Sequence, residues 1–335
     1  LIGQNKLKEA EAPLRKTIEL NPDYAEAYSN LGNILKDLGK LKEVAISLQK
    51  AIELNPDFAE AHSNLGIFLR NIGKLKEAEV SQRKAIELKP EFFIAHRELG
   101  ICLYLMGNTS SALSILERAI SLAPKEISSK ILFSIFQKEE NSIDRDLKIT
   151  KNKTSILEIN LDSNPLILNR KVEPELIDSL YKIKARDQEK YQGPTYGDAR
   201  GSDYKLFDRS EPMIKTIKEE LTNILINSVK SDILIVDSFF TIFRSGGGLV
   251  SHAHLNELDM IKGINIARKK FSLVYYLSVG DQNCDEPGIL KLENPKQDIL
   301  PNNGLIVIFP AERKHSVFYK GQKDRVIIGI NFYSI

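Results

Sequence analysis

Histidine is rare in this sequence, and three of its five copies lie in the last quarter of the 335 residues, at His252, His254 and His315. Residues two apart in a β-strand project from the same face, so His252 and His254 would point the same way if their segment is extended. We expect His315 to join them from a facing strand. Three convergent imidazoles suit iron, zinc or copper, and the spacing therefore predicts a metal site. The alternative is that these histidines pair, cap or lie at the surface, as isolated histidines usually do.

The segments around these histidines have the pattern of short strands separated by turn residues. An alternating segment at 156–161 and two amphipathic helices, at 173–185 and 211–230, precede them. The predicted strands are apolar or aromatic and lie at 233–244, 271–279, 288–292, 304–309 and 325–333. Two helices followed by a run of strands predict an all-β barrel or jelly roll that is braced by helices.

The order of motifs in this part of the chain resembles that of the iron(II)- and 2-oxoglutarate-dependent oxygenases. A glycine triplet precedes His252 and His254, and an apolar strand follows them. A second apolar strand precedes His315, with Arg325 ten positions later. The resemblance spans about residues 156–335 and is closest to the prolyl-4-hydroxylase-like branch. It implies a double-stranded β-helix, or jelly roll, which uses Fe(II), 2-oxoglutarate and O2 to hydroxylate a C–H bond, with ascorbate as an optional reductant.

The same resemblance assigns roles to individual residues. It makes His252 the first iron ligand and His315 the second. Arg325 becomes the cation that pairs with the distal carboxylate of 2-oxoglutarate, which a guanidinium can hold through two parallel hydrogen bonds. Tyr276 matches a position that hydrogen-bonds the same carboxylate. Tyr275, its neighbour on the strand, is then expected to face the other way, into packing.

His254 departs from the family pattern, which has a carboxylate at that position. Three interpretations follow. His254 is the third ligand of a three-histidine site, or Glu257 or Asp259 supplies the carboxylate, or the metal site is degenerate. Strand alternation favours the first, because it places His254 beside His252. Residues 255–270 are then an insertion that is able to act as a lid.

The first third of the chain is a repeat array with a period of 34 residues. The sequence pattern of residues 21–32 recurs in 55–66 and again in 89–100. Each unit is predicted to form two helices joined by a glycine turn. The pattern resembles the tetratricopeptide repeat over residues 1–124, and residues 127–136 are apolar enough to form a capping helix. Such hairpins stack into an α-solenoid whose concave face binds proteins or peptides. The alternative is that the array only spaces or solubilises the next domain.

Residues at fixed positions of the repeat are expected to serve packing. Gly32, Gly66 and Gly100 are small enough to let neighbouring helices approach closely. His62 and His96 share one register position of the first helix in their repeats. Their periodic placement therefore predicts packing residues and not metal ligands.

These patterns predict a multidomain α + β protein with three segments. The repeat array with its capping helix covers residues 1–137, a charged linker covers 138–155, where the period fails, and the oxygenase-like domain covers 156–335. We expect an oxygenase whose protein or peptide substrate is recruited by the repeat groove. The alternatives are an inactive oxygenase fold that acts as an interaction protein, and a three-histidine iron dioxygenase that does not use 2-oxoglutarate.

Composition narrows the partners and the compartment. Lys and Arg number 47 against 45 Asp and Glu, a net charge of +2, so bulk charge does not indicate a nucleic-acid partner. No apolar run reaches the roughly 18 residues that a membrane helix needs. The two cysteines, Cys102 and Cys284, are far apart in sequence, which favours a reducing compartment and predicts a cytoplasmic protein.

Overall fold

The computed structural model describes residues 2–148, 164–184, 186–187 and 195–335. The chain divides into two compact units, a helical one and a β-rich one, and each is described by itself. The predicted strand at 156–161 and most of the second half of the predicted linker lie outside the described residues.

The helical unit is a series of antiparallel hairpins. Its helices are α1 (Ile2–Leu20), α2 (Ala25–Asp37), α3 (Leu41–Leu54), α4 (Ala59–Asn71), α5 (Leu75–Leu88), α6 (Phe93–Leu105), α7 (Thr109–Leu122) and α8 (Ser128–Lys148). Three of the hairpins close on a glycine, at Gly39, Gly73 and Gly107, with φ values of 73°, 82° and 83°. Glycine adopts this left-handed conformation without the cost that a Cβ would bring. The structure therefore confirms the helical hairpins that the repeat predicts.

Close helix packing explains the glycines inside the hairpins. A Cβ built on Gly32 would lie 2.7 Å from Leu48, and one on Gly66 would lie 2.5 Å from Gln82. Gln82 is fully buried, and its amide donates to the backbone carbonyl of Ser63 at 2.9 Å. The predicted role of these glycines is thus confirmed, since a side chain at either position would push the paired helix away.

The last helix of this unit corrects the predicted linker. The linker was expected to begin at residue 138, but α8 continues to Lys148. Residues 137–148 contain neither Gly nor Pro and are rich in Glu, Asp, Lys and Arg, so the helix propagates although its apolar pattern ends. The predicted capping helix at 127–136 is its first half, where Leu132 and Phe136 are buried.

The β-rich unit combines helices and short strands. Its helices are α9 (Pro174–Lys182) and α10 (Pro212–Val229). Its strands are β1 (Leu166–Asn169), β2 (Arg186–Asp187), β3 (Thr195–Tyr196), β4 (Ala199–Gly201), β5 (Ile233–Phe243), β6 (Gly248–His252), β7 (Lys270–Ser278), β8 (Leu290–Leu292), β9 (Gln297–Ile299), β10 (Leu305–Pro310), β11 (His315–Phe318) and β12 (Arg325–Ser334). The long predicted strands are confirmed to within two residues, whereas the short strands β1, β2, β3, β4 and β9 were not predicted.

The strands form two antiparallel sheets among the described residues. One has the order β1-β10-β7-β12-β5-β4-β2 and the other the order β3-β6-β11-β8-β9. The longest pairing joins β12 to β5, from Arg325 opposite Phe243 to Ser334 opposite Ile233. Hydrogen bonding along neighbouring strands of this length fixes which side chains share a face.

The larger sheet has a different apolar cluster on each face. Leu221 and Leu225 of α10 pack with Phe240 and Tyr275 on one face, together with Leu176 and Leu180 of α9. The predicted bracing by helices is therefore confirmed. Residues that alternate with these, such as Phe243, Tyr276 and Ile327, form a second cluster with side chains of the smaller sheet. The candidate site lies on this second face.

Candidate metal centre

Strands β6 and β11 place two of the histidines opposite each other. The strands pair antiparallel, and in their register His315 lies across from His252. Side chains that are directly opposite in an antiparallel pair have Cβ atoms about 4.5–5.5 Å apart, which brings their rings together. The two ring centroids are 4.3 Å apart.

His254 joins this pair from the chain that follows β6. Its backbone N–H donates to the carbonyl of Ala311 at 2.8 Å, which holds the segment next to the end of β10. Its ring centroid lies 4.8 Å from that of His252 and 4.9 Å from that of His315. One nitrogen from each ring lies within 4.8 Å of the others, and the described residues contain no second group of His, Cys, Asp or Glu with that spacing.

Hydrogen bonds to backbone carbonyls select the tautomer of two rings. Nδ1 of His252 lies 2.8 Å from the carbonyl oxygen of Val250, and Nδ1 of His315 lies 3.5 Å from that of Arg313. A carbonyl oxygen only accepts, so Nδ1 carries the proton and Nε2 keeps its lone pair. Metal-binding histidines usually show this second hydrogen bond.

Burial keeps all three imidazoles neutral. It lowers the pKa of His252 despite the bond to the Val250 carbonyl. Burial, with smaller contributions from His252 and Lys270, lowers the pKa of His254 to about 3. His315 is 2% exposed, and burial followed by the two neighbouring imidazoles lowers its pKa well below the usual value. Neutral imidazole is the form that binds a metal ion, so the cluster is poised as a ligand set at neutral pH.

The glycine triplet fixes the start of β6. The N–H of Gly246 donates to the carbonyl of Tyr319 at 2.9 Å, and the N–H of Tyr319 donates to Gly247 at 3.1 Å. A Cβ at Gly247 would lie 2.9 Å from the carbonyl oxygen of Asp198. Because this turn locks β6 against the end of β11, it also sets the register that brings His252 opposite His315.

Neither of the two alternative carboxylates lies in the histidine cluster. Asp259 is buried and accepts hydrogen bonds from Lys270 Nζ at 2.8 Å and from the Tyr333 hydroxyl at 2.6 Å. Its oxygens are therefore occupied in a structural network that anchors the segment after His254. Glu257 is exposed and is not part of the group of convergent ligands. Of the three interpretations of this site, the geometry favours three histidines.

Arg325 is buried, and no acidic side chain among the described residues forms an ion pair with it. It is 1% exposed, and its Nη1 donates to the carbonyl oxygens of Gly288 at 2.5 Å and Pro287 at 3.3 Å. Its Nε is buried and has no hydrogen-bond partner, and none of the ion pairs among the described residues includes it. A buried charge of this kind costs several kcal/mol unless it is neutralised. The surroundings of the buried Arg325 guanidinium therefore suit an anion.

The two tyrosines of β7 face opposite sides of the sheet, as alternation predicts. The hydroxyl of Tyr275 accepts a hydrogen bond from Arg170 at 2.8 Å in the helix-covered layer. Tyr276 lies in the other layer, where the Arg325 guanidinium is 5.0 Å from the centre of its ring. Burial raises the pKa of Tyr276, so its hydroxyl keeps its proton and is able to donate.

A cavity beside the histidines contains polar groups that the sequence did not single out. Its wall includes the three histidines, the apolar side chains of Leu249, Val274 and Ile327, and the polar side chains of Ser202, Thr241, Ser272 and Asn331. Nδ2 of Asn331 lies 3.4 Å from Nδ1 of His254 and donates to Asp237 at 3.2 Å. No motif points to Asn331 or Asp237, because a polar residue on a strand is unremarkable until its cross-strand neighbour is known.

The expected position of Arg325 and Tyr276 needs one correction. Both were expected in the pocket of the histidines, but neither lines this cavity. They occupy the next positions along the same face: Ile327, which does line it, pairs with Tyr276 across the sheet and lies two residues from Arg325. The strand period of two separates these residues from the histidines by one row of side chains.

Comparisons with known proteins bear on the helical unit. Family models described as TPR repeat match residues 1–39 and 32–71, and one described as tetratricopeptide repeat matches residues 59–92. The N-terminal region therefore contains tetratricopeptide repeats. In keeping with a packing role, Nε2 of His62 and of His96 lies 2.9 Å from a backbone carbonyl oxygen, at Pro56 and Pro90 respectively.

Several solved structures are similar to part of this chain. MamA is 24% identical with a TM-score of 0.38, covering 44% of this chain and 85% of that one. PilF of Pseudomonas aeruginosa is 21% identical with a TM-score of 0.39, covering 44% and 67%. YrrB, described as a TPR protein with an unusual peptide-binding site, is 27% identical with a TM-score of 0.36, covering 40% and 70%.

No curated protein matches the chain. Among the described residues, no helix combines the length and the apolar character needed to cross a bilayer.

Proposed function

We propose that the β-rich unit is a jelly roll. Support comes from the eight strands β5 to β12, which are shared between the two sheets in the orders β10-β7-β12-β5 and β6-β11-β8-β9. Two interleaved Greek keys of eight strands have this kind of order. In it, the strands that carry His252 and His315 are neighbours in the smaller sheet.

The function that this site supports best is that of an iron(II)- and 2-oxoglutarate-dependent oxygenase that hydroxylates a C–H bond of a protein or peptide. The observation that carries the proposal is the convergence of three neutral imidazoles beside a buried arginine that has no acid partner. When bound, iron with the keto acid and O2 would supply the oxidising chemistry, and the chain supplies binding, orientation and exclusion of water.

The donor set fits a ferrous ion. His252, His254 and His315 would hold it through neutral imidazole nitrogens, a ligand type that suits iron. The carbonyls of Val250 and Arg313 would orient two of the rings. With His254 in place of the family carboxylate, the protein ligands carry no negative charge.

The surroundings of Arg325 fit the distal carboxylate of 2-oxoglutarate. The guanidinium has a free Nε, and the Tyr276 hydroxyl is available as a second donor. A carboxylate there would neutralise a charge that is otherwise buried alone, and it could accept two parallel hydrogen bonds. Leu249, Val274 and Ile327 would keep water away from the metal side of the site.

The tetratricopeptide repeats would recruit the substrate. Repeats of this type stack so that a concave surface is presented to a protein or peptide partner. A hydroxylase that carries such repeats on the same chain gains a high local concentration of its substrate. This part of the proposal would make the substrate a protein or a peptide.

Release of succinate from 2-oxoglutarate tests the proposal. The full chain, given Fe(II), ascorbate and 2-oxoglutarate, is expected to release succinate, and His315→Ala is expected to abolish the release. His96→Ala is a matched control, because it removes a buried histidine from the helical unit. Turnover that survives His315→Ala would falsify the assignment.

The position of Arg325 outside the histidine cavity favours a second candidate, a three-histidine iron dioxygenase that does not use 2-oxoglutarate. Arg325→Met distinguishes the two, because methionine fills much of the same space without the charge. The oxygenase proposal predicts that this variant binds iron but not 2-oxoglutarate. Iron-dependent oxygen consumption that needs neither the keto acid nor Arg325 would support the second candidate.

A further inference from the structure

At the rim of the histidine cavity two aromatic rings form part of the wall, and the carboxylate of Asp237 lies behind the wall, 3.2 Å from the wall residue Asn331. Tyr204 and Phe239 both line the cavity, and their rings meet edge to face with centroids 5.2 Å apart. Tyr204 is 54% exposed, so the cavity reaches solvent at this ring. An exposed aromatic side chain at the mouth of a cavity is a surface that a ligand can contact.

Asp237 lies next to these rings on the same face of β5. It precedes Phe239 by two residues, and strand alternation directs both side chains to the cavity side of the sheet. Among the described residues, its carboxylate accepts a hydrogen bond from Asn331 Nδ2, which lies 3.2 Å from Oδ2. The N–H of Ser238, the next residue, donates to the carbonyl of Tyr204 at 3.2 Å, which holds the Tyr204 segment beside this part of β5.

No cation of the protein neutralises Asp237 among the described residues. The nearby Lys270 forms its ion pair with Asp259 at 2.8 Å, and Arg209 lies 3.6 Å from Asp203. The rim therefore presents a negative charge and two electron-rich ring faces, and both attract a positive charge.

We propose that the cavity accepts the positively charged side chain of a peptide, a lysine or an arginine, with its charge held at Asp237, Tyr204 and Phe239. The inference rests on the proposed function only in taking this cavity as the substrate site. It adds the class of side chain, which the metal and keto-acid residues do not specify. A norleucine side chain, which has the same carbon stem as lysine but no ammonium, would lose the charge-dependent part of the binding.

Peptide binding without turnover tests this inference. The probes are three blocked tripeptides, acetyl-Gly-X-Gly-amide, in which X is lysine, norleucine or glutamate, titrated into the full chain and followed by saturation-transfer NMR. We expect the lysine peptide to bind about tenfold more tightly than the norleucine peptide, as a charge pair with one cation–π contact provides. The glutamate peptide should bind most weakly.

Substitutions at two residues of the rim test which side chains cause the preference for lysine. Asp237→Asn keeps an oxygen that can accept from Asn331, so it should remove the lysine preference without unfolding the site. Tyr204→Ala should weaken lysine binding, whereas Tyr204→Phe, which keeps the ring, should not. Asp232→Asn, at an exposed residue before β5, is the matched control.

The outcomes separate this inference from the oxygenase proposal. Equal binding of the lysine and norleucine peptides, no binding of either, or a preference that survives Asp237→Asn would overturn the inference even if succinate is released. Selective lysine binding that is lost in Asp237→Asn would uphold it even if no succinate forms, and only the oxygenase proposal would then fail.

Discussion

Gly288 leaves the space that the guanidinium of Arg325 occupies. A Cβ built at residue 288 would lie 1.5 Å from Nη1 of Arg325, and the backbone of Gly288 has a φ of +80°. The same Nη1 donates to the carbonyl oxygen of Gly288. A buried arginine with no acid is thus kept in place by a glycine that contacts it through backbone atoms, and this dependence can be measured.

Gly288→Ala should lower the free energy of unfolding by more than the strained backbone conformation alone would. An L residue at positive φ costs about 1–3 kcal/mol. Displacement of Arg325 from its carbonyl partners should add about 1–3 kcal/mol, since it leaves a buried charged donor unsatisfied. Gly246→Ala is the control, because Gly246 has a φ of +82° and no atom within 4 Å of a built Cβ. Equal losses of unfolding free energy in urea for the two variants would refute the proposed packing.

Asn331 should control the tautomer of His254. An amide N–H only donates, so the 3.4 Å contact from Asn331 Nδ2 makes Nδ1 of His254 the acceptor and favours the neutral ring with its proton on Nε2. Asn331→Ala removes this donor and lets Nδ1 carry the proton, so we expect the affinity for a metal at Nε2 to rise about tenfold. Calorimetric titration with Zn²⁺ measures this without turnover. Ser272→Ala, which removes only a bond to Oδ1 of Asn331, should have a smaller effect. Unchanged or lower affinity in Asn331→Ala would contradict this role.

The buried pair of Lys270 and Asp259 should be strongly coupled. Lys270→Met leaves Asp259 as an uncompensated buried charge and should cost about 3–5 kcal/mol of unfolding free energy. Adding Asp259→Asn to Lys270→Met should recover part of that loss in a double-mutant cycle. The exposed Arg244 is the comparison, since Arg244→Met should cost less than about 1 kcal/mol. A purely additive cycle would contradict the pairing.

The two cysteines should differ in reactivity. Burial raises the pKa of the Cys102 thiol to about 12, so it stays protonated in the folded protein where an unfolded thiol begins to ionise. Because the pKa is raised on folding, the protonated Cys102 thiol contributes fully to the free energy of unfolding below the pKa of the unfolded state. This contribution is lost as the pH rises through the pKa of the folded state. Alkylation at about pH 8.5 should therefore label the partly exposed Cys284 alone, and both thiols after denaturation. Labelling of Cys102 in the folded protein would contradict its burial.

The helical unit was predictable because the residues that determine packing recur at the same positions in every repeat. Gly32 and Gly66 recur where helices touch, and Gly39 and Gly73 recur where the chain turns, so a wrong assignment in one repeat would conflict with the next. Residues 138–148 had no such periodicity, and their charged composition was taken for a linker. Helix propensity extends α8 through them although their apolar pattern has ended.

The candidate site was predictable in its ligands but not in its surroundings. The oxygenase resemblance selected His252 and His315, and strand spacing added His254 beside His252. The register that sets His315 opposite His252 depends on backbone contacts of Gly246 and Gly247, which no single strand reveals. Asn331, Asp237 and the row of side chains between Arg325 and the histidines depend on cross-strand pairing, and pairing is a property of two strands at once.

Anaerobic titration with Fe(II) measures the proposed metal centre itself. We predict that the full chain binds one Fe(II), that 2-oxoglutarate then produces the visible charge-transfer band of a chelated keto acid, and that His252→Ala and His315→Ala each abolish both. An iron content that stays near zero, or one that is unchanged in both variants, would contradict a metal centre at these three imidazoles.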